Sequence, residues 1–561
     1  MRVTMKKDGI TVNCIAGAYV VFWGLDLAET ARKGFRGFAF KREDHSNGEV
    51  QWMRGMKTFE AVAANPAAGE NFSTEVHPIQ SFQWADYSVK PGVRYTYTIR
   101  TMYGNPGELK ARGKVDIAIK TESEEGEVHS AYFNRGSVAT QEYARRFQNR
   151  PPKEVGQAAW DWLSRGLVEH MIGFIERAKK GDSLVGAVYE FQHERVLEAI
   201  REAKSRGVKM KIIYDAVDGA TGPRKPNIAA VKAAKIAGIT KQRLNAKLMH
   251  NKFFVHLKNG RPDAVWTGST NITLNGIFGH ANVGHIVDDE EVVLAYLEYY
   301  KRLLKDPSIP APSTYREENM EASPVPQHLK RGTTPIFSPR GTQLDSLDWY
   351  AKLAAGAKEG LFMTFAFGMH QKFKEVYSHE DDILKMALME KTSVNGNETE
   401  DQAIQMIRNR PNVVVAIGNR IVTNAFDRWL EERETVDGKR KHVYWIHTKF
   451  MLIDPLGADP IVVTGSANFS KASTDTNDEN MLVIRGDKRI ADIYFGEYMR
   501  LYSHYSFREA VKWAGEREHA GSPQEWKPQY LSADDAWMKD YFNKKDRSGR
   551  YARRVYFAGT K

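Results

Sequence analysis

The sequence predicts a multidomain fold, an N-terminal β-sandwich followed by two α/β units and a basic C-terminal tail, and three observations carry that prediction. The chain has 561 residues, beyond the roughly 250–300 at which a single hydrophobic core stops growing. Short apolar runs separated by turn signals fill the first part, whereas two later blocks alternate helical and strand patterns. Each later block also contains the same short string of residues, His-x-Lys followed at a fixed distance by Gly-Ser-x-Asn.

The N-terminal region, residues 1–122, is assigned to strands. In Val93–Tyr103 the residues Val93, Tyr95, Tyr97, Ile99 and Tyr103 share one face, while Arg94, Thr96, Thr98 and Arg100 share the other, which is the period of a half-buried strand. Pro91-Gly92 supplies the turn before it. Gly34–Arg42 and Val115–Ile119 are similar, and the whole resembles a fibronectin type III or immunoglobulin-like module. The charged start and the apolar run Ile10–Gly24 imitate a signal peptide. Asn13, bulky Trp23 and the lack of a small-x-small site before Asp26 and Glu29 argue instead for two strands broken at Gly17. No stretch reaches the ~18 apolar residues of a membrane-spanning helix, so a cytoplasmic protein is expected.

The acidic stretch Glu122–Glu127 marks a linker. Beyond it the patterns are a helix Leu163–Lys179, a strand Leu184–Phe191, a helix Glu194–Ser205 closed by Gly207, and a strand Val208–Tyr214. A polar stretch from Asp306 to about Pro326 leads to the second block. There a helix Asp348–Lys358, a strand Leu361–Phe367, a helix Asp381–Lys391 and a strand Asn412–Ile417 are expected. Such alternation implies largely parallel sheets covered by helices. The expected units are 128–320 and 328–515, with 516–561 as the basic tail.

Hydrophobic residues make up 42%, charged residues 27% and aromatic residues 11%, an ordinary globular composition. The formal charge of +11 favours anionic partners, nucleic acid or acidic lipid. The single cysteine, Cys14, excludes an intramolecular disulfide and any Cys-based metal centre, and it suits a reducing compartment.

The repeat carries the chemistry. His250-Asn251-Lys252-Phe253 leads to Gly268-Ser269-Thr270-Asn271, and His447-Thr448-Lys449-Phe450 leads to Gly465-Ser466-Ala467-Asn468; His to Asn is 21 positions in both. Between them lie a strand, a turn and a second strand, so a hairpin returns each Asn to its His and Lys. On a strand, residues two apart share a face. Each repeat therefore delivers an imidazole, an ammonium and a carboxamide to one spot, a set suited to a phosphoryl group.

On these motifs the chain resembles the phospholipase D superfamily, whose signature is a duplicated His-x-Lys-x(4)-Asp followed by Gly-Ser-x-Asn. The resemblance implies two αβα domains related by a pseudo-twofold axis with one catalytic site between them. It also implies phosphodiester cleavage through a phosphohistidine, with no cofactor and no metal. The second motif is complete with His447, Lys449, Asp454 and Asn468, and Glu479 follows. In the first, Leu257 replaces the motif Asp and Asn282 stands opposite Glu479. The family pattern makes Asp454, Ser269 and Ser466 structural, and it lets the carboxylate of one half orient the imidazole of the other. Glu479 would then hold His250 as nucleophile, leaving His447 as general acid with Asn282 or His280 as its partner. Lys252, Lys449, Asn271 and Asn468 would neutralise the phosphoryl oxygens.

Further candidates are weighed against ordinary structural roles. Glu190 ends the first inferred strand, where α/β sheets place ligands, and a solvated glutamate is the alternative. Arg135 and Arg340 could bind phosphate bidentately, with surface pairing as the alternative. His256 and His285 read as core histidines. Three functions stay open: a nuclease acting on DNA or RNA, a phospholipase D-type lipid hydrolase or transphosphatidylase, and an inactive nucleic-acid-binding or interaction protein using the β-domain to hold a protein partner. The charge favours the nuclease, as does the segment from Lys544 to Lys561, where Lys544, Lys545, Arg547, Arg550, Arg553, Arg554 and Lys561 interleave with Tyr551, Tyr556 and Phe557.

Overall fold

The computed structural model describes residues 1–66, 70–136, 140–219, 222–309, 313–341, 345–390, 398–418, 435–436, 439–440, 446–519 and 530–560. The N-terminal region is rich in strands. One antiparallel sheet runs Arg2–Lys7, Ile10–Ala16, Val21–Leu27 and Gln83–Asp86; the other runs Lys110–Lys120, Arg94–Tyr103, Phe35–Asp44 and Glu49–Trp52. Alternation decides which side chains go inward. Tyr95, Tyr97 and Ile99 are fully buried, and Trp23 from the facing sheet meets Tyr97 with ring centroids 4.8 Å apart. Burying one such large apolar side chain is worth about 1.5–3 kcal/mol.

Two further sheets build the rest. The first is ordered His129–Phe133, Val283–Val287, Arg261–Gly268, Lys252–Lys258, Ser183–Val188, Lys209–Asp215 and Thr240–Arg243. The second follows the same order with Gly332–Ser338, Asn477–Arg485, Ile461–Gly465, Phe450–Ile453, Gly360–Phe365, Leu384–Met389 and Val413–Ile417. Among the seven strands named for each sheet, the last three pair in parallel and the others antiparallel. The sheets are therefore mixed rather than largely parallel, because the motif hairpins insert antiparallel strands.

Two helix expectations are corrected. The helix expected over Leu163–Lys179 is two, Gln157–Ser164 and Leu167–Arg177, interrupted where Arg165 takes φ 49° and Gly166 takes φ 89°. The helix expected over Asp381–Lys391 is instead a strand, Leu384–Met389. Leu, Lys, Met and Ala favour helices locally, but every residue of this segment is buried between two parallel neighbours. Lys385 is accommodated there by a 2.7 Å ion pair to Asp381.

The C-terminal segment is a packed element, not a tail. Helix Arg550–Ala558 lies against strand Val21–Leu27, close enough that a Cβ on Gly24 would sit 2.0 Å from the Phe557 carbonyl oxygen. Phe557 is fully buried, 4.8 Å from the Phe22 ring, and Arg554 pairs with Asp26. Arg550 pairs with Asp540. The aromatics expected to stack on a nucleic-acid strand are thus partly spent on the core, Tyr551 excepted; Lys561 lies outside the described residues. Among the described residues no helix is long and apolar enough to cross a membrane.

Candidate active site

The two motif hairpins meet because each histidine segment is laid on a strand of the opposite half. Leu248–Met249 pairs in parallel with Asn477–Asp478, and the His250 N–H donates to the Asp478 carbonyl at 2.9 Å. In the same manner Ile446 bridges to Ala281, and the His447 N–H donates to the Ala281 carbonyl at 3.1 Å. The imidazoles of His250 and His447 end with ring centroids 6.2 Å apart, both buried.

The glycine of each Gly-Ser-x-Asn makes this approach feasible. A Cβ on Gly268 would lie 2.3 Å from the Val283 carbonyl oxygen, and one on Gly465 equally close to that of Asn480. The following serines then bond back to the same strands, Ser269 N–H to Val283 and Ser466 N–H to Asn480.

Hydrogen bonding assigns the tautomers. His250 Nδ1 is 2.9 Å from Glu479 Oε2, which also accepts from the Ser466 hydroxyl at 2.7 Å. His447 Nδ1 is 3.0 Å from the Ser269 carbonyl oxygen and 3.0 Å from Asn282 Oδ1, and the latter accepts from the Ser269 hydroxyl at 2.7 Å. A carbonyl only accepts, so Nδ1 of His447 carries its proton, and an ionised Glu479 requires the same of His250. Both Nε2 atoms are left for chemistry. Burial would raise Glu479, but His250, Lys252 and the Ser466 hydroxyl hold it below the usual carboxylate range. Burial depresses His250 against the upward pull of Glu479, and it depresses His447 further together with the charge of Lys449.

The lysines complete each half. Lys252 donates to the His250 carbonyl, and Lys449 to the His447 carbonyl at 2.6 Å. Burial pulls Lys252 down to about 7 despite Glu479, Glu190 and Asp215, and burial with the repulsion of Lys252 also pulls Lys449 well below its usual range. Two buried lysines held below their usual range for want of full counter-charge regain their protons when an anion arrives, which makes the centre anion-seeking. Asn271 donates from Nδ2 to Glu190 at 2.7 Å, which places Glu190 at the cluster. The Oδ1 atoms of Asn271 and Asn468 are buried without a hydrogen-bond partner.

Other candidates are placed elsewhere. The Arg135 guanidinium lies 4.7 Å from the Trp162 ring centroid and donates to the Trp162 carbonyl. That of Arg340 is buried and donates to the carbonyls of Ser323 and Phe337. In this structure both guanidinium groups are engaged by their surroundings. Asp454 accepts from the N–H groups of Lys358, Glu359 and Gly360, closing the turn before Gly360–Phe365. In the first half the carboxylate comes from the other side of the equivalent turn: Asp182 accepts from the N–H groups of Asn259 and Lys179, so Leu257 is free to be apolar. His256 is held by Asp263, and His285 by His129 and Tyr494.

Sequence reasoning missed two carboxylates. Asp215 ends Lys209–Asp215 and accepts the Met249 N–H at 2.8 Å; Glu390 follows Leu384–Met389 and accepts the Ile446 N–H. Each thus fixes the residue preceding a motif histidine. An acidic residue closing an apolar strand in both blocks is the available signal. Burial raises Asp215 to about 6. Among the described residues no cluster of three His, Cys, Asp or Glu has the makings of a metal site.

The family described as "Cardiolipin synthase, PLD-like domain" matches residues 171–304 and again residues 394–500, one match for each motif. Both matched stretches are phospholipase D-like domain sequence. The chain therefore has a fold whose members act at phosphodiester bonds. No curated protein matches its sequence. Among solved structures it is similar to a polyphosphate kinase from Porphyromonas gingivalis, at 9% identity and TM-score 0.36, covering 58% of this chain and only 46% of the kinase. It is similar to a phosphatidylserine synthase from Haemophilus influenzae, at 10% identity and TM-score 0.42, covering 61% and 85%. It is also similar to Nuc from Salmonella typhimurium, a phospholipase D family member, at 25% identity and TM-score 0.22, covering 25% and 87%.

Proposed function

We propose that this protein is a metal-independent phosphodiesterase that cleaves nucleic acid through a phosphohistidine. The observation that carries the reading is the pair of facing imidazoles, one backed by a carboxylate and the other by a carboxamide. His250 Nε2 attacks phosphorus and forms the P–N bond, while His447 gives its Nε2 proton to the leaving oxygen as the P–O bond breaks. Water then attacks phosphorus, His447 takes a proton from it, and the P–N bond breaks to restore His250. Lys252, Lys449, Asn271 and Asn468 hold the non-bridging oxygens; removing one comparable anion-hole donor costs about 2.7–4 kcal/mol elsewhere. The phosphate's own charge restores the proton affinity that burial and the lysines take from His447.

We propose further that residues 128–320 and 328–515 are two copies of one αβα unit about a pseudo-twofold axis, and that residues 1–122 form a β-sandwich of the fibronectin III or immunoglobulin type. The shared strand order of the two large sheets supports the first. Nucleic acid is preferred to lipid on the charge of +11 and on the cleft beside Asn271, where seven of ten lining residues are polar. The test incubates the protein with labelled DNA, RNA and phosphatidylcholine in EDTA. Cleavage of DNA or RNA is expected. Lipid turnover alone would refute the nuclease reading, and loss of all activity in EDTA would refute the metal-independent route.

A further inference from the structure

A cleft of about 570 Å³ opens beside the cluster, and nothing in the histidine chemistry uses it. Its walls continue those of the site. Ile272 donates to the Glu190 carbonyl, and Gln192 and His193 donate to that of Ile272. This isolated bridge carries Glu190 and Asn271 to the histidines, and two residues further along each segment it carries Gln192 and Thr273 into the cleft. Two residues of extended chain span at most about 7 Å, so the cleft is one nucleotide's reach or less from the reacting phosphorus.

Its lining is specific. Trp160 and Phe278 stand with ring centroids 4.8 Å apart, and the His193 ring is 5.7 Å from Phe278. His193 is buried, lines the cleft, and its Nδ1 has no hydrogen-bond partner. Burial, with the charge of Arg195, holds this imidazole down to about 4, so it is neutral at ordinary pH. The charged lining residues are Glu194 and Arg195, which cancel. A phosphate or an anionic headgroup gains little from a pocket without net charge. An acyl chain gains little from one so polar. A flat, neutral heterocycle with hydrogen-bonding edges suits aromatic faces, an unpartnered imidazole nitrogen and the Gln192 amide.

We infer that this cleft is a nucleobase subsite, taking an unstacked base of the nucleotide next to the scissile phosphate on the face of Trp160, with His193 at its edge. The inference rests on the nuclease reading and adds that the substrate is single-stranded or locally unpaired at that base. It is tested with Trp160→Leu, which keeps bulk without the π face, and Trp160→Phe, which keeps a ring. The readout is the ratio of kcat/KM on a single-stranded oligonucleotide to that on methyl p-nitrophenyl phosphate, which has no base. Trp160→Leu should lower this ratio about tenfold or more and Trp160→Phe should largely restore it. Replacing the neighbouring nucleotide by an abasic unit should lower wild-type cleavage similarly and leave Trp160→Leu no further to fall. Binding of adenosine and cytidine, followed by ligand-observed NMR, should be present in wild type and lost in Trp160→Leu. An unchanged ratio together with nucleoside binding that ignores the substitution overturns the subsite while leaving the nuclease in place. Nucleosides that bind at Trp160 in a protein cleaving no oligonucleotide uphold the subsite and overturn the nuclease.

Discussion

The two halves of the site solve one problem with different chemistry. Behind His250 stands a carboxylate, and its second oxygen, Oε1 of Glu479, receives the Ser473 hydroxyl at 3.1 Å. Behind His447 stands a carboxamide, and its Nδ2 donates to the Gly276 carbonyl at 2.7 Å. The π-helical turn Asn275–Gly279 presents an acceptor where helix Lys471–Asp475 presents a hydroxyl. A glutamate behind His447 would set two acceptors against each other in a buried place, so that position needs a group that can donate. The difference between Glu479 and Asn282 is thus written into the turns beside them, and it leaves one imidazole more basic than the other.

The largest effect should come from removing either imidazole. His250→Ala and His447→Ala should each lower turnover of nucleic acid by about 10⁴-fold or more. Methyl p-nitrophenyl phosphate separates their roles, because nitrophenolate leaves without an acid. His447→Ala should release one equivalent per site in a burst and accumulate a phosphohistidine, and His250→Ala should release none. The reverse pattern would invert the assignment of the halves.

A smaller effect addresses the partners. Glu479→Gln should lower kcat/KM by about 10²-fold, in line with other residues that orient a histidine from behind. In wild type kcat/KM should also fall as pH rises through about 7, where Lys252 gives up the charge that binds phosphate. Glu479 is the strongest upward influence on that lysine, so Glu479→Gln should move this alkaline limb to lower pH. A limb that stays in place would detach Lys252 from it.

The smallest effect concerns the turn, not the chemistry. Asp454→Ala leaves three backbone N–H groups without their carboxylate and should cost about 1–3 kcal/mol by urea denaturation. Leu257→Asp in the first half should add no stability, since Asp182 already serves the equivalent turn.

The parts of the site legible in the sequence are those built from residue types that repeat. His250, Lys252, Asn271 and their counterparts announce themselves because two identical spacings are improbable by chance. Asp215 and Glu390 do not, because each acts on a backbone N–H and leaves no demand on the type of its partner; Glu390 was further hidden by helix formers in a strand. Arg135 and Arg340 show the converse. A guanidinium in a polar string looks free, and only packing reveals the carbonyls that claim it. The aromatics Tyr556 and Phe557 mislead in the same way, since stacking on a base and packing on Phe362 or Phe22 need the same ring.

The exchange of backbone between halves also bears on when this chemistry can first exist. Met249, immediately before the motif histidine of the first half, is held in register by Asp478, more than two hundred residues further along the chain. A growing polypeptide that has emerged only as far as its first motif has no strand on which to set His250 and no Glu479 to orient it. Synthesis itself therefore withholds the paired-histidine centre until the second half is out and folded, and a chain cut between the two motifs loses the centre as soon as its pieces part.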